Sequence, residues 1–321
     1  MQPADDVNAT LPAHHRPSAS ASFFSPGRVW VLATSAFTQL VRMKVFYFVL
    51  VFAVIATALA RVFVFADSPE QELKFIKDIG FAAQWIFADL FAIVATALLI
   101  PKDIEDRTLF TILSKPVSRL EYLIGKYLGV VMLMAVIIAL MQMVFSTILI
   151  LRENALLEEQ MRIIEVSPPL GIDTPEQLER YKNEIRETIA ASGHSPAIYA
   201  GTLSIFLKAC VVAAYTMLLS TVASTTLFTI LCGVGVYVIG FLQADAREYF
   251  QNQDMAEGIK RAIAFVVAIV FPDHSAFDIL DGIGSGERVP ASVMLKMLGL
   301  TVLYVAIYNV AAFFIFSEKE L

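Results

Sequence analysis

Residues 79–119 read Ile79-Gly-Phe-Ala-Ala-Gln-Trp-Ile-Phe-Ala-Asp89-Leu-Phe-Ala-Ile-Val-Ala-Thr-Ala-Leu-Leu-Ile100, then Pro101-Lys-Asp-Ile-Glu-Asp-Arg-Thr-Leu-Phe-Thr-Ile-Leu-Ser-Lys-Pro-Val-Ser-Arg119. The first part carries a single charge and is long enough to cross a bilayer, which takes about 20 apolar residues. The second part is polar but patterned. Acidic residues come first, then an apolar cluster, then Lys115-Pro116 and Arg119. The pattern predicts a short amphipathic helix at the membrane surface. Its apolar face (Leu109, Phe110, Ile112, Leu113) suits a groove on a soluble partner.

Working outward, the rest of the chain has the same character. It has 321 residues, of which 57% are apolar and 17% charged, with mean hydropathy +0.68. A soluble domain carries about a quarter charged residues. The apolar residues also cluster into runs, so the fold class is an all-α integral membrane protein. The net charge of −6 offers no basic patch, which argues against a nucleic-acid partner. Cys210 and Cys232 both fall inside apolar runs and read as free thiols.

Residues 1–26 are rich in Ala, Ser and Pro and read as a disordered tail without a signal-peptide core. Residues 27–44 repeat apolar positions at helical spacing (Val29, Leu32, Ala33, Ala36, Phe37, Leu40, Val41), the pattern of an interfacial amphipathic helix. Six spans follow, at about 45–65, 79–100, 121–151, 197–219, 225–243 and 293–316. Between the first two lies an acidic loop, 66–78, and Pro101 is expected to end the second. A polar insert, 152–196, holds two helical stretches, Glu153–Glu165 and Thr174–Ala191, the second opened by Asp173-Thr174-Pro175-Glu176. The apolar stretch 259–272 is too short to span and reads as re-entrant or interfacial. Gly282, Gly284 and Gly286 read as a flexible turn. Six spans put both termini on one side. The Lys/Arg distribution does not decide which side.

Glu105, Thr108-Leu109, Leu113-Ser114-Lys115-Pro116-Val117-Ser118-Arg119 and Gly125-Lys126, in this order, resemble the ABC-2 type transporter permease family, in particular its multicopper-enzyme-maturation-like branch. The amphipathic helix 27–44 resembles that family's connecting helix, and Phe316-Ser-Glu-Lys-Glu-Leu321 its charged ending. The resemblance covers the whole chain in layout but only about 101–130 in motif.

The resemblance implies a permease dimer, of identical or related subunits, in the plasma or inner membrane with cytosolic termini. Segment 101–120 is then a cytosolic coupling helix, and insert 152–196 lies on the far side. Glu105, Thr108, Leu109, Phe110, Ile112, Leu113, Ser114, Lys115, Pro116 and Arg119 form the interface with an ABC ATPase partner. The chain itself binds no cofactor. Gly125-Lys126 is not a phosphate loop, because position 120 is Leu and Tyr127 follows, so ATP belongs to the partner subunit.

Two charges lie inside expected spans. Asp89 is 11 residues from Ile100, and Lys208 is 12 from Ser220. At about 1.5 Å per residue both lie roughly 16–18 Å deep, so the two are expected to meet. An ion pair that fixes helix register is the first reading, and a substrate contact the second. Met132, Met134, Met141 and Met143 suggest Cu(I) chemistry, but only Met134 and Met141 share a face. His194 and His274 lack further ligands at metal spacing. Gly125-x-x-x-Gly129 suits close helix packing. An intramembrane enzyme would need paired acids, a metal triad or a nucleophile with its base, and Asp89 with Lys208 is the one pair at hand. The expected function is therefore an exporter's permease subunit. The alternative is a non-transporting membrane scaffold that carries ATPase motion to an extracytoplasmic partner.

Overall fold

The computed structural model describes residues 24–43, 68–105, 117–167, 174–223, 225–251, 271–287 and 289–318, with isolated positions between them. Among these all regular structure is helical. The elements are α1 Pro26–Val41, α2 Pro69–Glu105, α3 Arg119–Val166, α4 Pro175–Ser192, α5 Ala197–Val222, α6 Thr226–Gln251, a 3-10 turn Ser275–Phe277, α7 Leu280–Gly284 and α8 Ala291–Glu318. Among the described residues five helices are long and apolar enough to cross a membrane: α2, α3, α5 (with α4 leading into it), α6 and α8. Large apolar side chains stand exposed on α6 and α8, among them Leu227, Leu231, Leu295 and Val302, as contact with lipid requires. The expected first span, 45–65, lies outside the described residues except for Tyr47, Val51, Val54 and Ile55, all helical. The expected stretch 259–272 lies outside them except for Phe271 and Pro272.

One device starts three helices. A Ser or Thr hydroxyl accepts a bond from a backbone N–H three residues on. Ser68 Oγ accepts from the Gln71 N–H at 3.4 Å, Ser118 Oγ from Glu121 at 3.1 Å and Thr174 Oγ1 from Gln177 at 3.3 Å. The last two are full capping boxes. Pro69 and Pro175 occupy the first helical position, where the missing N–H has no bond to lose.

These starts revise the expected boundaries. The acidic loop 66–78 is largely the first turns of α2, with Glu70 and Glu72 favourably placed at the helix N-terminus. Pro101 does not end that helix, which continues to Glu105. The extra turn is held from outside, because Tyr122 and Lys126 of α3 both engage Asp103. Likewise Glu153–Glu165 is not a separate helix. No Gly or Pro lies between 130 and 167, so α3 runs 48 residues, about 70 Å at ~1.5 Å per residue. α4 folds back beside its far end, where the His194 N–H donates to Glu153 Oε2 at 2.8 Å. Gly282 and Gly284 sit within the one-turn helix α7, and Gly286, at φ 86°, ends it.

α5 is the central helix and touches α2, α3, α6 and α8. α1 packs along the first turns of α3. Its buried stripe is Val29, Ala33, Ala36 and Leu40, which includes four of the seven positions expected on that face. Gly125 and Gly129 make the approach possible. A Cβ at Gly125 would lie 2.5 Å from Leu32 Cβ, and one at Gly129 would lie 2.6 Å from Ala36 Cβ and 2.8 Å from the Ala33 oxygen. Both helices advance in the same direction, four residues per contact.

Candidate functional site

Two clusters of buried charge define the site, one at the end of α2 and one midway along it. The first lies where α2 ends and α3 begins. Asp103 leaves the last turn of α2 and accepts the Tyr122 hydroxyl at 2.7 Å. Lys126 Nζ lies 2.7 Å from the same carboxylate and donates to Gln39 Oε1 at 3.0 Å. Both charges are buried. One turn back along α3, the Glu121 carboxylate receives the Ser25 N–H at 2.6 Å, Arg28 at 2.7 Å and the Ser118 N–H at 2.9 Å. Arg119 points to the other side. It donates to the Phe316 and Ser317 carbonyls at 2.7 Å each, at the end of α8 where helical carbonyls lack partners. Its guanidinium lies 5.9 Å from the Phe316 ring centre, and that ring stacks on Tyr122. Thus α1, the end of α2, the start of α3 and the end of α8 meet in one knot.

Of the expected partner-interface residues, Thr108, Leu109, Phe110, Ile112, Leu113, Ser114, Lys115 and Pro116 lie outside the described residues. Glu105 closes α2, and nothing is described of its side chain. Arg119 is engaged within the chain as above. The sequence reading missed Arg28, Gln39, Asp103, Glu121 and Tyr122. Ser118-x-x-Glu121 was a legible capping-box signature, but the long-range partners carry no sequence signal.

The second cluster lies midway along α2 and α5. Lys208 Nζ lies 2.9 Å from Asp89 Oδ2, with the residues 5% and 3% exposed. The contact is a close ion pair, and the Tyr237 side chain bears on the same carboxylate. Lys208 Nζ also sits 4.0 Å from the Trp85 ring centre and 5.6 Å from that of Tyr237, within cation–π range. Trp85 stacks on Phe241 at 5.9 Å. His274, 3% exposed, enters from the segment after α6, and its ring packs 5.1 Å from Tyr237. Gly240 makes room for it, since a Cβ there would lie 2.8 Å from His274 Nε2. Burial, and then the Lys208 charge, hold the imidazole far below its usual range, at about 3, against the opposing pull of Asp273. It is neutral at physiological pH.

A third polar group was not anticipated. Gln84, Gln142 and Thr202 join α2, α3 and α5, with Thr202 Oγ1 donating to Gln142 Oε1 at 2.6 Å and Gln84 Nε2 to the same oxygen at 3.1 Å. Met134 and Met141 are buried while Met143 is 65% exposed, so the methionines do not converge. Among the described residues no group of three His, Cys, Asp or Glu could hold a metal, and Cys210 and Cys232 are free thiols. No protein-family model and no curated protein matches this chain.

Proposed function

We infer that this chain is the membrane-spanning permease subunit of an ATP-driven ABC transporter of the ABC-2 type, working as an exporter beside a separate ATPase. The single observation that carries the reading is the knot beneath the patterned segment. The chain leaves α2 at Glu105 and enters α3 at Arg119, and Asp103 in the last turn of α2 is tied to Lys126 in the first turns of α3. A load applied to such a segment reaches α1, α3 and α8 together rather than being lost in a slack loop. The motif of 101–119 supplies the apolar face for an ATPase groove, and ATP stays on the partner. The permease is then a dimer with a second copy or a related chain, in the cell membrane.

One observation favours the scaffold reading instead. α3 is a single 48-residue helix that begins in the knot and ends in the hairpin with α4. It is built as a lever from one membrane face to a polar structure beyond the other.

Co-purification from the native membrane tests the coupling that both readings share. The tagged chain should bring down a stoichiometric soluble ATPase. Phe110→Glu or Leu113→Glu should lose it, while a charge change on the far hairpin such as Glu179→Lys should not. A chain that purifies without any ATPase, in detergent mild enough to keep such complexes, would end both readings. ATP-dependent flux in reconstituted vesicles then separates permease from scaffold.

A further inference from the structure

Beside the Asp89–Lys208 pair lies a cavity of about 160 Å³, bounded by α2, α5, α6 and the segment around residues 274–280. One water needs about 10–15 Å³ of such space, so several fit. Lys208, Trp85, Ser204 and His274 line the cavity inside the bundle, and the exposed Ser275 and Asp278 line its mouth.

The lining mixes donors with acceptors. Lys208 brings an ammonium with three donors. The indole N–H of Trp85 and both ring nitrogens of His274 have no hydrogen-bond partner among the described residues. Burial and the Lys208 charge both oppose protonation of the imidazole, so the neutral ring offers one donor and one acceptor. Ser204 Oγ gives its proton to the Gly201 carbonyl at 2.8 Å and keeps lone pairs to accept. Asp278 is an acceptor. An anion would suit Lys208 and Trp85 but would meet the bare imidazole nitrogen and the Asp278 carboxylate. A cation would meet Lys208. An apolar chain would leave all of these groups without a bond, which is costly for buried polar atoms. Water donates and accepts at once, and it answers the whole lining.

The mouth faces one side of the bundle. The segment that forms it runs into α7, and just beyond α7 Ser285 Oγ accepts from Lys74 Nζ at 3.1 Å, near the start of α2. That is the side of the α3–α4 hairpin and not of the knot. Toward the knot the pair is backed by Ala92 and Thr96 of α2 and Val212 and Thr216 of α5, all fully buried.

We propose that the cavity is a water-filled vestibule that carries solvent from the hairpin side to the Asp89–Lys208 pair and stops there. The pair then meets water on one side and packed protein on the other. The vestibule does not depend on the permease reading. Only its identification as the outward half of a cargo path does.

Thiol labelling tests it. Cys210→Ala with Cys232→Ala removes both cysteines of the chain. On that background Ser204→Cys and Thr216→Cys place a thiol on the same helix, at positions that are both buried. The full chain is held in lipid nanodiscs, which leave both faces open to reagent. 2-Aminoethyl methanethiosulfonate should modify Ser204→Cys about tenfold faster or more than Thr216→Cys. A second measurement leaves the cavity wall untouched. The chain has two tryptophans, Trp30 and Trp85, so Trp30→Phe makes Trp85 the sole indole emitter. Acrylamide, a small water-soluble quencher, should quench it. Equal labelling rates at the two positions would overturn the proposal. So would quenching of Trp85 by lipids with brominated chains and not by acrylamide, which would mean that the cavity holds lipid. No ATPase enters either measurement, so their failure leaves the permease reading standing. Loss of ATPase co-purification would equally leave the vestibule untouched.

Discussion

The two buried ion pairs use the same chemistry in opposite settings. Asp103–Lys126 is saturated, because the carboxylate also holds Tyr122 and the ammonium also holds Gln39. Asp89–Lys208 is open. Its neighbours Trp85 and His274 keep nitrogens without a hydrogen-bond partner among the described residues, and a cavity lies alongside. A saturated pair fixes geometry, and in this chain it fixes the point where four elements meet. A pair left open next to space is not accounted for by geometry alone. Buried pairs add little to stability over apolar replacements, so stability alone accounts for neither.

The sharpest way to break this contrast is to remove one cation from each pair. Lys126→Met leaves Asp103 charged in a closed site, and such orphaning costs about 3–5 kcal/mol. Lys208→Met leaves Asp89 beside a cavity that water can enter, so its cost should be clearly smaller. Denaturant unfolding in detergent measures both. Adding Asp103→Asn to Lys126→Met should recover most of the loss. An equal or larger loss at Lys208 would remove the distinction.

A smaller effect sharpens the knot itself. Gly129→Ala puts a methyl group 2.6 Å from Ala36 Cβ, and overpacking of this kind costs about 1–3 kcal/mol. Protease sites in α1 should open at the same time. Gly235 on α6 has nothing within 4 Å of a Cβ, so Gly235→Ala should be neutral or gain up to about 1 kcal/mol from helix propensity. Were the two substitutions alike, α1 would not be seated on Gly125 and Gly129.

The open site also predicts a pH dependence. The His274 imidazole is held near 3 in the folded chain, against 6.5 for the unperturbed group. Below about pH 6.5 the unfolded chain binds a proton that the folded one refuses. Stability is therefore full above that pH and falls as pH drops, by up to about 1.4 kcal/mol per unit from this one group. Between pH 7.5 and 5.5 the melting temperature should fall less in His274→Phe than in the parent. Parallel curves would mean that the imidazole accepts protons freely and is not sealed into its contact with Gly240.

The sequence made the class of fold legible because bilayer length and helix signals are local. Thr174-Pro175-Glu176-Gln177 announced α4. Ser68-Pro69-Glu70-Gln71 has the same form, yet its acidity suggests a loop, although acids at a helix N-terminus favour the helix. Pro101 suggests a stop because its usual effect is local, whereas the interaction that carries α2 past it comes from Tyr122 and Lys126 on another helix. The meeting of Asp89 and Lys208 could be anticipated from depth alone, since two charges at one level in a bilayer have few other partners. His274 could not, because it reaches the pair from a segment whose path no periodicity describes. The polar bridge of Gln84, Gln142 and Thr202 escaped notice because uncharged polar residues hardly interrupt an apolar run.

The smallest effect tests whether the knot is one cooperative unit. Ser118 caps α3, and its N–H also binds Glu121, the carboxylate that holds Ser25 and Arg28. Ser118→Ala removes one hydroxyl, a loss of about 1 kcal/mol if the cap acts alone. In a coupled network the hydroxyl and Arg28 share Glu121 and support each other. The double variant Ser118→Ala with Arg28→Met should then lose measurably less than the sum of the two single variants, by about 0.5 kcal/mol or more. Strict additivity would mean that α1 and the start of α3 respond separately, and that a load on segment 106–116 need not reach α1. A coupling term of that size would mean that the N-terminal helix is held by the same network that starts α3. In the saturated cluster the charges then serve to make four elements move as one.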